Sequence, residues 1–462
     1  MSDSITSLIG LKDEDTEYCH DVIRTDNGTD HHFIHVRLTN RGGFCPSCHR
    51  FTKKIKEYRT KKIDHARFLN ERCTIVYSAR RFICPECRTT FYEEDPFESQ
   101  YLRISDKTVE NTLRLLKDYN QTFASVARTV GLTRTEVIKI FDEHVQVERK
   151  QLSECIGMDE FYFSRHAAHK YALFILSLNK GYVIDMRPNR EKHRIISYFR
   201  SIPKEERDKV RWFSIDMNDN YREAIRVCFP KVLICADPFH VIKNLYKALD
   251  DIRLRILRRY NDDKKSDEYY LLKYRKELLF RDAPYEEWKD VKQNHHFRYR
   301  VTEKRMQEMI LAIHTDLNRA WHLKERYMRF DSTEMTQEER RERLDLLTDD
   351  LISSGIPEMI SFGLTLHNWH DEILNSFYTI TKKVTLSDGT REIITTRVTN
   401  GPVEGRNKYI KILLNLANGY TNFDRFRNRA MYVLNKRESW SAAKLENNIP
   451  HRTTRHSKRP AS

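Results

Sequence analysis

The sequence predicts a multidomain α/β protein, and three observations predict it. Two C-x-x-C pairs stand in the first hundred residues. A glycine turn parts two short helical stretches near residue 131. From about 152 to 245, short apolar strands alternate with helices and end in acids. A chain of 462 residues is too long for a single core. We divide it into a β-rich, cysteine-paired region (1–100), a helical region (101–150), an alternating region (151–245), a charged, all-helical stretch (246–395), a closing helical segment (396–436) and a basic tail (437–462).

Lys and Arg number 82 against 67 Asp and Glu, a formal charge of +15 that favours polyanionic partners. Mean hydropathy is -0.71, and no run approaches the roughly 18 apolar residues of a membrane helix. The N-terminus lacks the basic-then-apolar pattern of a signal peptide, so a reducing cytoplasm is expected, with nucleoid association following from the charge. In that compartment nine cysteines are not a disulfide framework. Cys19, Cys73, Cys155, Cys228 and Cys235 stand alone and read as core fillers.

Cys45-Pro-Ser-Cys48 and Cys84-Pro-Glu-Cys87 are different. A two-residue gap turns both sulfurs of a tight turn toward one ion, and two such turns complete the tetrahedral thiolate cage that zinc prefers. The reading is a zinc ribbon with structural Zn²⁺ on Cys45, Cys48, Cys84 and Cys87; the alternative is unmetallated thiols or a redox pair. The long separation predicts an extra hairpin between the knuckles.

Phe123 to Val130 carries apolar residues at helical spacing, Gly131-Leu132-Thr133 breaks the pattern, and Arg134 to His144 resumes it. With Thr133 as N-cap this reads as a helix-turn-helix. Arg134, Thr135 and Lys139 then lie on the exposed face of the second helix, where such motifs meet DNA. An ordinary helical hairpin linking two domains is the alternative.

Asp159 ends an apolar strand. Lys170–Leu178 and Gly181–Met186 form a hairpin across Asn179-Lys180-Gly181, and a helix fits Lys192–Phe199. A strand then leads to Asp216, a helix runs over Asn220–Phe229, and strand Val232–Ala236 delivers Asp237. Strand-hairpin-helix-strand-helix-strand fits a ribonuclease-H-like sheet, in which the first and fourth strands are neighbours and set Asp159 beside Asp216. Adjacent carboxylates repel unless a cation lies between them, and hard divalent ions suit phosphate chemistry. The third acid comes late. Thr399-Asn400-Gly401-Pro402 signals a helix start and Gly419 a stop. Between them Glu404, Asn407, Lys408 and Lys411 share a face, an arrangement suited to a metal and to DNA phosphates. The bland alternative is a solvated charged face.

Together these residues resemble the ISL3 family of bacterial insertion-sequence transposases over nearly the whole chain. The matching elements are the paired knuckles, Gly157-Met-Asp-Glu-Phe161, Ser214-Ile-Asp-Met217, Ala236-Asp-Pro-Phe-His-Val241 and Asn400-Gly-Pro-Val-Glu-Gly-Arg-Asn407. Lys411 and Gly419-Tyr-Thr-Asn-Phe423 extend the last of them. Each is weak alone; in this order they are specific. The resemblance implies a ribonuclease-H-like catalytic domain interrupted by an all-helical insertion, with Asp159, Asp216 and Glu404 as a DDE triad holding Mg²⁺ or Mn²⁺. It gives Asp237 and His240 a supporting role, as the helix face gives Asn407; the family usually has Arg where Pro238 stands. It implies metal-dependent cleavage and strand transfer at the terminal inverted repeats, on double-stranded transposon ends and target, in a homodimer or higher assembly. The run Arg253-Leu-Arg-Ile-Leu-Arg-Arg259 is a candidate contact to flanking DNA or a second subunit. A transposase-derived DNA-binding regulator without catalysis is the alternative, and a structure-specific nuclease a third reading.

Overall fold

A computed structural model describes residues 16–24, 30–68, 71–97, 103–281, 291–385 and 390–435, so the basic tail lies outside the described residues. The chain forms two compact units: residues 1–148 with 163–167 and 408–462, and residues 149–162 with 168–407.

In the first unit, β1 (Thr16–Arg24), β2 (Asp30–Leu38), β3 (Ile55–Phe68) and β4 (Glu71–Ile83) form a sheet in the order β1-β2-β4-β3, with β5 (Thr90–Tyr92) added to β4. β3 and β4 are the hairpin expected between the knuckles. Alternation along β4 sends Cys73, Ile75, Tyr77 and Ala79 into one core with Ile34, Val36, Ile63 and Phe97. Three helices follow: α1 (Asp106–Leu115), α2 (Phe123–Val130) and α3 (Arg134–His144). The helix Phe423–Leu434, grouped by sequence with 396–436, packs on α1, α3 and the segment that joins α1 to α2. Arg429, 1% exposed, donates to the carbonyls of Asp118 and Gln121, Arg425 pairs with Asp142 at 2.6 Å, and the Tyr432 hydroxyl donates to the Leu113 carbonyl.

The second unit is built on β6 (Cys155–Tyr162), β7 (Tyr171–Ser177), β8 (Val183–Arg187), β9 (Trp212–Ile215) and β10 (Leu233–Ala236), in the order β8-β7-β6-β9-β10. β6–β7–β8 is an antiparallel meander; β9 and β10 run parallel to β6. Gly181 turns the β7–β8 hairpin at φ +73°, a backbone that a side chain would strain. The parallel strands are joined by α4 (Lys192–Arg200) and α5 (Asp219–Cys228), which pack on the sheet through Ile195, Phe199, Tyr221, Ala224 and Ile225. Next comes α6 (Pro238–Leu257), which runs unbroken through residues 245 and 246 because no glycine or proline interrupts it. Helices Glu303–Ala312, Thr315–Ser332, Gln337–Ile352 and Pro357–Asn368 follow, and their apolar faces join the sheet in a single core from Leu152 to Leu374. Asn375 then closes the outer edge of β10 by donating to the Ile234 carbonyl at 3.0 Å.

The stretch 246–395 is not all-helical. It holds two hairpins, Val291–Asn294 with Tyr299–Thr302 and Thr379–Thr385 with Arg391–Arg397. The second is rich in β-branched Thr, Ile and Val, a β-forming signal outweighed at sequence level by the surrounding charged helices. The basic run 253–259 is also largely spent inside the fold. Arg253 is buried and donates to Asp250 and the Leu272 carbonyl, Arg255 pairs with Glu358 and Asp316, and Arg259 meets His314. Helical periodicity turns those side chains toward neighbouring helices, so the run is no continuous DNA-facing stripe.

Candidate active site

The two cysteine knuckles adopt one geometry twice. The Cys45 N–H donates to Arg50 and the Cys45 carbonyl accepts from His49; the Cys84 N–H donates to Thr89 and the Cys84 carbonyl accepts from Arg88. His49 and Arg88, the residues after each second cysteine, both take positive φ. The result brings Cys45 Sγ to 3.4 Å from Cys87 Sγ and Cys48 Sγ to 3.5 Å from Cys84 Sγ. Hydrogen bonds from Thr89 pull the Cys87 thiol down to about 6. The Arg50 amide pulls Cys48 the same way, but desolvation and three neighbouring sulfurs outweigh it and push that thiol to about 12. Four sulfurs this close, one readily ionised, form a cage for a thiophilic cation. Of the lone cysteines, Cys73, Cys155, Cys228 and Cys235 are buried as expected; Cys19 is exposed, on a strand whose neighbouring side chains are exposed too.

Thr122 caps α2 and Thr133 caps α3, each in a reciprocal capping box, with Gly131 at φ +79° between them. Arg134, Thr135 and Lys139 are exposed on α3, while Val137, Ile140 and Phe141 are buried. Lys408 and Lys411 are likewise exposed on α7 (Gly401–Leu416), whose Ile410, Leu413 and Leu414 are buried.

The acids converge because three neighbouring strands carry one row of residues at the same level; β9 and β10 end there, whereas β6 stays paired with β7 through Tyr162, so Asp159 stands within its strand and not at its end as expected. Met158 pairs with Ile215, and Ile215 with Ala236, across parallel strands about 4.8 Å apart. Asp159, Asp216 and Asp237 each follow that row. Asp237 is the N-cap of α6, yet its carboxylate does not cap the helix: Oδ1 accepts from the Asn400 N–H at 2.9 Å and Oδ2 meets His240 Nδ1 at 3.0 Å. The same imidazole nitrogen lies 3.2 Å from Asp216 Oδ1. Asp216, Asp237 and His240 therefore place ligand atoms within 4.8 Å of one another. Asp237 belongs to the centre of the cluster, buried to 1% exposure.

The helix α7 supplies the other wall. Asn407 donates to Asp159 Oδ2 at 2.8 Å and to the Glu160 carbonyl at 3.1 Å. Glu404, one turn earlier and half-buried, is near enough to feel Asp237, His240 and Asp159. Burial first, then mutual repulsion, holds Asp216 at about 6 and raises Glu404 above the ordinary carboxylate range; burial also raises Asp159. Burial works against a charge on His240, but the hydrogen bond to Asp237 and the charge of Asp216 prevail and raise it. Glu160 is turned away from this group: its carboxylate accepts from the Tyr221 hydroxyl at 2.6 Å and pairs with Arg190.

Two residues of the site were not assigned a role from the sequence. Asn400, noted there only as part of a helix start, is fully buried and ties three elements together. Its N–H meets Asp237, and its side-chain amide donates to the Met158 carbonyl at 3.1 Å and to Asp216 at 3.3 Å. Gly157 lets α7 approach β6: a Cβ there would lie 2.5 Å from Val403 Cγ2 and 2.9 Å from Asn400 Oδ1. The signal for both was their place in short motifs; what they touch lies far along the chain.

One unit thus carries a mixed five-stranded sheet with acids at one level of its three parallel strands and a fourth acid on a late helix, and the other carries a four-cysteine cage. Two family models match the chain. A family model described as "Transposase", that of the ISL3 DDE transposases, matches residues 156–430, and one described as "zinc-finger of transposase IS204/IS1001/IS1096/IS1165" matches 41–87. The chain belongs to the ISL3 family of transposases. It is 23% identical over 257 residues to the transposase for insertion sequence element IS1001 of Bordetella parapertussis, covering 53% of this chain and 62% of the relative. It is 28% identical over 128 residues to the transposase for insertion sequence element IS1557 of Mycobacterium tuberculosis, 28% of either chain. The chain thus spans less than two thirds of the curated relatives it matches. No described helix is long and apolar enough to cross a membrane.

Proposed function

We propose that the chain is a DDE transposase of ribonuclease-H-like fold whose Asp159, Asp216 and Glu404 hold divalent Mg²⁺ or Mn²⁺. One observation carries the reading: adjacent parallel strands and a late helix bring acids from distant parts of the chain within electrostatic reach of one another. The residues fit hard cations. The carboxylates offer oxygen donors, His240 offsets only part of their charge, and the buried Asn407 Oδ1 beside Asp159 has no protein partner. When bound, such ions supply charge neutralisation for in-line displacement at phosphorus.

The chain's own residues do the positioning. Asn407 orients Asp159, Asn400 orients Asp216 and Asp237, and His240 holds a proton between Asp216 and Asp237, balancing their charge. Catalysis then comes from placement of the scissile phosphate rather than from a covalent enzyme intermediate. The four cysteines hold one structural Zn²⁺. α2–α3 acts as a helix-turn-helix on the terminal inverted repeats through Arg134, Thr135 and Lys139, and Lys408 and Lys411 contact phosphates.

The test uses the purified full chain and duplexes carrying the DNA that flanks its gene. In Mg²⁺ the wild type cuts and joins these ends. Asp159→Asn, Asp216→Asn and Glu404→Gln each abolish cleavage and keep binding, and double variants look no worse than singles. Wild-type cleavage by Glu404→Gln shows the third acid to be misassigned. Binding with no wild-type cleavage favours the regulator reading.

A further inference from the structure

A groove of about 620 Å³ opens on α6, lined by Lys243, Tyr246, Lys247, Lys276, Phe280 and Arg281. Helical spacing ties it to the acids. Lys243 and Lys247 follow His240 at i+3 and i+7, one face of one helix over about 10 Å. Lys243 stands close enough to His240 and Glu404 to act on both electrostatically, and Asn244 touches Met217, the residue after Asp216.

Charge in the groove is one-sided. Its two acids are already engaged, Asp250 by Arg253 at 2.6 Å and Glu277 by Arg275 at 3.3 Å, and Arg281 is paired with Glu303. Lys243, Lys247 and Lys276 are exposed and form no ion pair with a described carboxylate. Between the lysines lie Tyr246 and Phe280, rings 5.5 Å apart at 60°, packed against the core from below and thus held in place. A stack of cations beside rigid aromatic faces is how a single nucleic-acid strand is gripped: phosphates on the lysines, a base on the ring. A base still paired in a duplex has no free face to offer.

We propose that this groove holds an unpaired stretch of the DNA strand next to the scissile phosphate, on the order of two nucleotides long. The lysines carry its backbone, and Tyr246 or Phe280 carries a base. The proposal rests on the carboxylate cluster being the catalytic centre.

The test photo-crosslinks the full-length, zinc-loaded protein to a forked duplex of arbitrary sequence whose single-stranded arm carries 5-iododeoxyuridine. Mass spectrometry is expected to find the adduct on Tyr246 or Phe280. The double variant Lys247→Glu/Lys276→Glu, with an unchanged melting temperature, is expected to lower its yield at least about fivefold. The lysines' share of the salt dependence of binding should fall by about 1.4 in log–log slope, about 0.7 for each lysine. Adducts confined to other peptides, an unchanged yield in the double variant, or equal labelling of a blunt duplex would overturn the proposal. So would cleavage of the flanking-DNA ends by the double variant at the wild-type rate at every substrate concentration. A wild type that forms the Tyr246 adduct but never cuts overturns the catalytic reading and leaves strand binding by the groove supported.

Discussion

The chain gathers side chains that could hold a metal in two places and does so by opposite means. The cysteine cage is assembled locally: each knuckle is a few residues long, closed by its own backbone hydrogen bonds, and the two are joined by one hairpin. The carboxylate cluster is assembled from afar. Asp159, Asp216, Asp237, Asn400, Glu404 and Asn407 come from three strands and a helix and meet only because the sheet is in register and α7 is seated on β6. Four sulfur donors suit a closed structural ion, whereas the oxygen donors are tied to amides and an imidazole, as the proposed phosphate-admitting site would require. The local site should fail when one ligand is lost. The distributed site should fail when its supports are lost, even with every acid in place.

That difference sets the size of the expected effects. Cys84→Ser should be the most damaging change: about one zinc per chain is lost by elemental analysis, and with it much of the roughly 10 kcal/mol or more that a structural zinc brings to folding. Zinc content unchanged by the substitution would break the comparison on its local side. Asn400→Ala should follow. It removes bonds to the Met158 carbonyl and Asp216 from a buried position and should cost about 2–4 kcal/mol in a denaturant melt. A melt like that of the wild type would show that the acids do not depend on it. Gly157→Ala should cost about 1–3 kcal/mol, because the added methyl meets Val403, Leu178 and Asn400 inside contact distance, and cleavage should drop with it.

The last effect is no larger than that of Gly157→Ala and has the opposite sign. Asp216 is held at about 6, above its unfolded value of about 3.9, so the folded state binds its proton more tightly. The resulting penalty is full above about pH 6 and vanishes as pH falls toward the unfolded value. In buffer without Mg²⁺ or Mn²⁺, Asp216→Asn should therefore stabilise the full chain at pH 7, by on the order of 1–3 kcal/mol, and the gain should disappear near pH 4. A variant less stable than wild type at pH 7 would mean that the acid is not strained in the empty cluster.

The same contrast explains what could be read from the sequence. The knuckles, the capped α2–α3 pair and the acids are short-range patterns: spacing in Cys45–Cys48 and Cys84–Cys87, Thr133 before α3, and apolar runs that stop at Asp159, Asp216 and Asp237, although β6 itself continues past Asp159 because it stays paired with β7. The strand order followed from the sequence of elements. Asn400 was visible only as part of a helix start because its partners lie in β6 and just beyond β9 and β10, and no local pattern names them. The run 253–259 misled for the same reason. Charge is written in the sequence, but whether Arg253 faces solvent or the Leu272 carbonyl depends on a helix packed against it. Charged neighbours likewise hid the hairpin Thr379–Thr385 with Arg391–Arg397.

If the distributed acids form a divalent-metal centre separate from the sulfur cage, Mn²⁺ titrated into the zinc-loaded full chain will be held there, and electron paramagnetic resonance will register the bound ion. Saturable Mn²⁺ binding is predicted for the wild type, lost in Asp216→Asn and in Glu404→Gln, with zinc staying at about one per chain throughout. Mn²⁺ binding that survives both substitutions unchanged would contradict the account.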